Sequence, residues 1–273
     1  MNSELGMQSI NRNPIGASFA QSPRPRVPAS PRPRVMPPAL SIILFLASFL
    51  CAAPATQPAA APIDPALWKK MTDIDARASK ISTLVADFEQ KKYTALLRKP
   101  LISSGKVRVK GASMRWETEK PEPTVMLVGD KDVQLYYPAQ KSVEVYTLDQ
   151  RLAELAASPL PRLAVLKDRF SFAEIPATDM DKSADATKLL ALKLTPTQDE
   201  LRQHAAEVRV LLDMAAGYIV QAELTDGDGD RTVIHFRNVV VNTDVGDLDL
   251  KVPAGTKTTR PLEGLQGVPA GRS

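Results

Sequence analysis

The stretch ISTLVADFEQ at residues 81–90 decides the fold. Leu84, Ala86 and Phe88 alternate with Thr83, Val85, Asp87 and Glu89, and a period of two sets the apolar side chains on one side of a β-strand. The same period returns downstream. Val107 and Val109 alternate with Lys106, Arg108 and Lys110, and Met114 and Trp116 with Arg115 and Glu117. Val125 and Leu127 continue the series, followed by Val133, Leu135 and Tyr137, then Val143 and Val145. Turn residues separate the runs: Lys99-Pro100, Gly111, Pro121-Glu122-Pro123, Gly129-Asp130 and Pro138. Strands this close in sequence pair most simply as an antiparallel meander, with one apolar and one charged face.

Outward from this block the period becomes helical. Asp64 and Pro65 form an N-cap and first helical position, and Ala66, Leu67, Met71, Ile74 and Ala78 predict an amphipathic helix over 65–79. Leu152, Leu155, Ala156, Leu160, Leu163 and Leu166 predict a helical insert over 149–167, broken into two short helices by Pro159 and Pro161. Strands are expected again at 170–173, 188–195, 207–213, 218–225, 231–240 and 248–252. The Gly/Pro/Thr-rich tail over 256–273 is expected to be disordered. The fold class is therefore mainly β (α+β). About eleven strands form one strongly curved antiparallel sheet, or incomplete β-barrel, with helices covering its concave apolar face. A two-sheet sandwich that buries the same face against a second sheet is the alternative.

The N-terminal region is set apart by composition. Five of the 35 basic and one of the 31 acidic groups lie in residues 1–57, which leaves 30 of each beyond them. The basic character belongs to the leader, and no nucleic-acid footprint is expected on the folded part. The run ALSIILFLASFLCAA (39–53) spans roughly 22 Å as a helix, short of a ~30 Å hydrocarbon core. With arginines before it and small residues after it, the run reads as a secretory signal peptide cleaved after Ala55. A retained anchor, or lipidation at Cys51, is the other reading of this segment. Cys51 is the only cysteine, so a cleaved chain has no disulfide, thiolate metal ligand or cysteine nucleophile. The expected organisation is a leader over 1–55, a Pro/Ala linker over 56–64, a domain over 65–255 and the tail.

Reactive groups are sparse. His204 and His235 have no helical partner at metal-ligand spacing, and no phosphate-loop or nucleophile-elbow pattern occurs. No catalytic residue, metal or cofactor is expected. The run Asp226-Gly227-Asp228-Gly229-Asp230 opens like a calcium loop. It has Arg231 where that loop needs glycine and Arg237 where it needs glutamate, so it reads as a hairpin turn. The information lies in the apolar face: Leu84, Phe88, Val107, Val109, Met114, Trp116, Leu127, Leu135 and Val145. These residues are either ordinary core or the lining of an apolar cavity.

In order and spacing, the motifs resemble those of the LolA-like family of periplasmic outer-membrane lipoprotein carriers. The carrying residues are ISTLVADFEQ (81–90), Gly105-Lys106-Val107, Met114-Arg115-Trp116, Lys120-Pro121, Tyr136-Tyr137-Pro138, Asp226 with Gly229, TVIHFRN (232–238), and the stretch 248–253 with Gly255. The resemblance implies an unclosed barrel with a helical lid over a cavity for acyl chains. It makes the nine face residues the cavity lining and Leu155, Leu160, Leu163 and Leu166 the lid contacts. It also implies a monomeric, non-enzymatic carrier without nucleotide. Such a carrier takes lipoproteins from an inner-membrane ABC exporter to an outer-membrane receptor. Typical members latch the lid with an arginine followed by proline. Here the corresponding stretch is Lys110-Gly111-Ala112, which leaves Lys110 as the possible latch. A sensor or adaptor of the same fold, binding a protein partner or a free lipid, is the second reading.

Overall fold

The computed structural model describes residues 63–129, 131–147 and 163–261. Twelve strands form a single sheet in the order β12-β6-β5-β4-β3-β2-β1-β11-β10-β9-β8-β7. In chain order these are β1 Thr83–Tyr93, β2 Leu101–Lys110, β3 Ser113–Lys120, β4 Thr124–Val128, β5 Asp132–Tyr137, β6 Ser142–Thr147, β7 Phe170–Ile175, β8 Leu189–Pro196, β9 Glu207–Asp213, β10 Ile219–Thr225, β11 Arg231–Val241 and β12 Lys257–Thr259. The first eleven make two antiparallel meanders, joined where β1 pairs with β11. The sheet does not close, because β7 and β12 remain as its two edges. The expected mainly-β single sheet is therefore what forms.

Two expectations fail at the C-terminus. No strand forms at 248–252. That segment is part of a strap over the sheet, tied by side chain to backbone: Arg108 donates to the Val245 carbonyl, and Arg115 to those of Leu248 and Asp249. The expected disordered tail instead begins with β12, which pairs in parallel with β6.

Helix α1 spans Pro65–Ala78 as its caps predict. The Asp64 carboxylate accepts from the amides of Ala66 and Leu67, both at 2.9 Å, and Pro65 occupies the first turn, where no amide is needed. Its buried stripe, Leu67, Met71 and Ile74, follows helical spacing. The stripe packs on Phe170, Leu190, Leu192, Leu194, Val210 and Leu212 from β7, β8 and β9. Of the expected insert, only the single turn α2 (Leu163–Leu166) is described. Asp75 of α1 caps it, accepting from the amides of Leu163 at 2.9 Å and Ala164 at 3.0 Å. A second short helix, α3, spans Asp199–His204.

The β10–β11 connection is the hairpin expected from its glycines. One Asp226 carboxylate oxygen accepts from the amides of Asp228 and Asp230. Gly229 takes φ +85°, a conformation that side-chain-bearing residues rarely adopt. The carboxylate is thus used within its own turn.

Candidate functional site

Residues opposite one another in a ladder point to the same side of a sheet, so register traces one face across all strands. From β1 outward, Ala86 pairs with Val107 and Val107 with Trp116. Trp116 then pairs with Met126, and Met126 with Leu135. In the other direction Phe88 pairs with Phe236, while Ile234 pairs with Ala222 and Ala222 with Val210. Over β1–β5 this face is one buried cluster: Leu84, Ala86, Phe88, Val107, Val109, Met114, Trp116, Met126, Val128, Val133 and Leu135. At its centre Phe88 and Trp116 approach to 4.2 Å between ring centroids, and Phe236 meets Trp116 edge-on at 5.9 Å. Phe88 and Trp116 lie on strands separated by β2, where Phe88 is opposite Gly105. A Cβ at Gly105 would meet the Glu117 backbone of β3, so glycine there permits the close approach of β2 and β3.

The borders of this apolar band are polar. Towards one end of the strands the same face carries Gln90, Ser103, Thr118 and Thr124, all buried. At β6 it carries Glu144, whose carboxylate accepts from the hydroxyls of Tyr146 (2.9 Å) and Tyr137 (3.3 Å). No charged group belongs to the cluster itself. Tyr218 packs against it, and burial, then the nearby Asp213 charge, hold its phenol above the ordinary value.

Seven of the nine residues expected on the apolar face are together there. Leu127 and Val145 are not. Leu127 pairs with Gln134 and Arg115, which places it, half-buried, on the opposite side of the sheet. Val145 also pairs with Gln134 and packs there with Tyr136, Val143, Val125 and Leu250. In β4 the inward positions are instead Met126 and Val128, and the cluster also takes in Ala86 and Val133. Every residue of 125–128 is apolar, so no alternation marks the inward pair. In β6 the alternation is real, but it does not say which side of the sheet the valines take.

The lid residues divide as well. Leu155 and Leu160 lie outside the described residues. Leu163 and Leu166 belong to the α1 cluster, packed with Met71 and Ile74 at the other half of the sheet. Lys110 is exposed at the end of β2, and no hydrogen bond or ion pair engages its side chain among the described residues. Its latch role therefore gains no support from a contact.

The opposite side of the sheet is charged. Asp87 is held below the ordinary carboxylate range by hydrogen bonds from Asn238 and then Lys106. Glu117 receives Arg108 at 2.7 Å and Arg115 at 2.9 Å. Burial works against its charge, but the two guanidinium hydrogen bonds outweigh burial and hold its carboxyl below the ordinary value. A cleft of about 580 Å³ also lies on this side, lined in part by Asp181, Lys182, Gln221, His235 and Arg237. Burial, then the charges of Arg237 and Lys91, push His235 below its usual value. Its mixed lining suits hydrocarbon poorly. No cluster of three or more metal-ligating side chains occurs among the described residues. Nor is any described helix long and apolar enough to cross a membrane.

Comparison with known proteins adds the family. A relative from Azotobacter vinelandii, an outer-membrane lipoprotein carrier protein, is 30% identical over 193 residues, covering 69% of this chain and 85% of the relative. Similar solved structures include an uncharacterized conserved protein from Thermus thermophilus, at 11% identity over 71% of this chain and 99% of that one, with a TM-score of 0.45. The Mycobacterium tuberculosis lipoprotein LppX matches at 11% identity over 68% and 100%, with a TM-score of 0.42. The sequence model of the outer membrane lipoprotein carrier protein LolA matches residues 79–249, more than half of the chain. The chain therefore belongs to the LolA family of outer membrane lipoprotein carriers.

Proposed function

We propose that this protein is a periplasmic carrier, exported by its leader, that shields lipoprotein acyl chains against the apolar face of β1–β5 and moves them from the inner to the outer membrane. The observation that carries this reading is the band itself: eleven uncharged side chains on one side of five adjacent strands, bordered by polar groups. Family membership supplies the cargo class. On this reading the protein is a binding protein and not an enzyme. An inner-membrane exporter and an outer-membrane receptor supply and accept the cargo, and Leu155 and Leu160 belong to the lid.

The energetics suit reversible carriage. Removing hydrocarbon from water is worth about 0.8 kcal/mol per methylene, so ten shielded methylenes give a gross ~8 kcal/mol. That corresponds to dissociation near the micromolar range before ordering costs are subtracted. Such a cargo is held without a covalent bond and is released once a partner offers a better apolar surface.

The two tryptophans make a direct test possible, since Trp116 sits in the band and Trp68 on α1. In a Trp68→Phe variant, brominated acyl chains entering the band quench the remaining emission, and lipid extracted from the purified protein yields acyl species by mass spectrometry. Unquenched Trp116 together with a lipid-free extract would refute the carrier reading.

A further inference from the structure

Exposed hydrophobic side chains are concentrated in one place. Among the described residues seven large apolar side chains are exposed, and five belong to the β1–β2 hairpin: Tyr93, Leu96, Leu97, Leu101 and Ile102. The ladder holds this hairpin up to the pair Lys92–Leu101. Beyond it, the Leu97 amide donates to the Thr94 carbonyl at 3.3 Å, closing a turn with Ala95 and Leu96 at its apex. Leu96 is 93% exposed. Leu101 and Ile102 are successive strand residues and point to opposite sides. The tip is thus apolar on both sides and at its apex, a wedge and not a flat face or a groove. The Arg231 guanidinium braces its base, 4.6 Å above the Tyr93 ring.

The charges around the tip favour one occupant. Arg98 and Lys99 follow the apex directly, and neither has an ion-pair or hydrogen-bond partner among the described residues. Lys91 and Lys92 are committed to Glu89 and Asp230. Asp226 and Asp228 lie in the β10–β11 turn at the same end of the sheet, so the end as a whole is not a basic patch. Adsorption by charge alone is therefore disfavoured, and insertion of the apolar wedge with two adjacent cations at phosphate level is favoured.

We propose that the 93–102 hairpin tip is a membrane-contact element that inserts Leu96 and Leu97 into the interface of a phospholipid bilayer while Arg98 and Lys99 engage anionic headgroup phosphates. This goes beyond the carrier reading and does not depend on it. The tip carries no cargo. It docks the protein on a lipid surface, with the apolar band on the same sheet.

The test places an environment-sensitive fluorophore at the tip of the full chain, so that the leader's own membrane affinity does not obscure the result. In a Cys51→Ser background, Ala95→Cys carries the label at the tip, and Lys110→Cys carries it at the opposite end of β2. Vesicles of phosphatidylethanolamine and phosphatidylglycerol should shift the emission at 95 to the blue and protect it from aqueous quencher, leaving the label at 110 in water. Leu96→Asp with Leu97→Asp should weaken the tip signal at least about tenfold, given the apolar area removed. Arg98→Glu with Lys99→Glu should reduce it, with a smaller effect on zwitterionic vesicles. Equal responses at 95 and 110, or a tip signal indifferent to the aspartates, would overturn the proposal. So would a shift that appears without vesicles and grows with protein concentration, which would make the tip a self-association surface. Brominated-chain quenching of Trp116 separates the two readings: tip insertion without quenching refutes only the carrier, and quenching with the tip in water refutes only this proposal.

Discussion

Replacing Glu117 with glutamine tests how the C-terminal strap is fixed to the sheet. Glu117 gathers two guanidinium groups, Arg108 and Arg115, and these same groups donate to the carbonyls of Val245, Leu248 and Asp249. The side chains are 27%, 26% and 14% exposed, so solvent screens the arrangement only in part. Hydrogen bonds to charged groups are worth about 1.5–3 kcal/mol each and neutral ones about 0.5–1.5. Neutralising the acceptor of two such bonds should therefore remove about 2 kcal/mol. At roughly 2–4 °C per kcal/mol for a domain of this size, E117Q should melt about 4–8 °C lower at neutral pH. The sign of the pH dependence follows from the depressed carboxyl. Its folded form binds a proton less readily than its unfolded form, so the contribution is present above the ordinary value of 4.5 and lost as pH falls through the lower folded value. Circular-dichroism melts of both proteins from neutral pH to about pH 3 should therefore converge, and limited proteolysis should cut the variant first near 245–249. A variant that melts with the parent at neutral pH, or a difference that persists undiminished in acid, would refute this account of the strap.

The other expectations concern the two sides of the sheet. Val128→Asp should destabilise by more than about 4 kcal/mol in urea titrations, because it buries an unpaired carboxylate at a fully enclosed position, whereas Leu127→Asp should lose only about 1–2 kcal/mol. Equal losses would mean that the register of β4 is wrong. Gly105→Ala should fail to give a stable protein, as a Cβ there would lie 1.9 Å from the Glu117 carbonyl oxygen, which belongs to the neighbouring strand; ordinary expression and melting of the variant would contradict that approach. Asp75→Ala strips the cap from α2 and should lower stability by about 1–2 kcal/mol, with faster amide exchange at Leu163 and Ala164 as the specific sign.

Most of the architecture was legible because β1, β2 and β3 alternate cleanly and α1 carries both its cap and its stripe. Reading failed where a local pattern does not determine the answer. Residues 125–128 are apolar throughout and conceal their own orientation, and only pairing of Met126 with Trp116 and Leu135 reveals it. In β6, Glu144 faces the apolar side because two tyrosine hydroxyls, one from β5 and one from its own strand, satisfy its carboxylate. That arrangement turns Val143 and Val145 outward and is invisible to periodicity. The stretch 248–252 looks like a strand since it alternates, yet its backbone carbonyls are taken by Arg115, not by a ladder. Leu163 and Leu166 had the spacing of a lid helix but join the α1 cluster, which their sequence distance from Met71 does not suggest.

The two halves of the same face explain why β1–β5 and not β7–β10 is the candidate site. Both are rich in apolar side chains, so hydrophobicity alone does not separate them. Over β7–β9 the chain supplies its own cover: Leu67, Met71 and Ile74 of α1 fill the space above Leu190, Leu192, Leu194, Val210 and Leu212. Lys70 seals the margin with an ion pair to Glu174 of β7 at 2.8 Å. That surface is committed to folding, and a ligand would have to displace the helix to reach it. Over β1–β5 the described, partly buried groups that pack against the cluster come from β5, β6 and β11 and from loop residues, with no described helix among them. Gln90, Ser103 and Thr118, already buried, and Glu144, held by two tyrosine hydroxyls, border the band with polar groups against which hydrocarbon gains little.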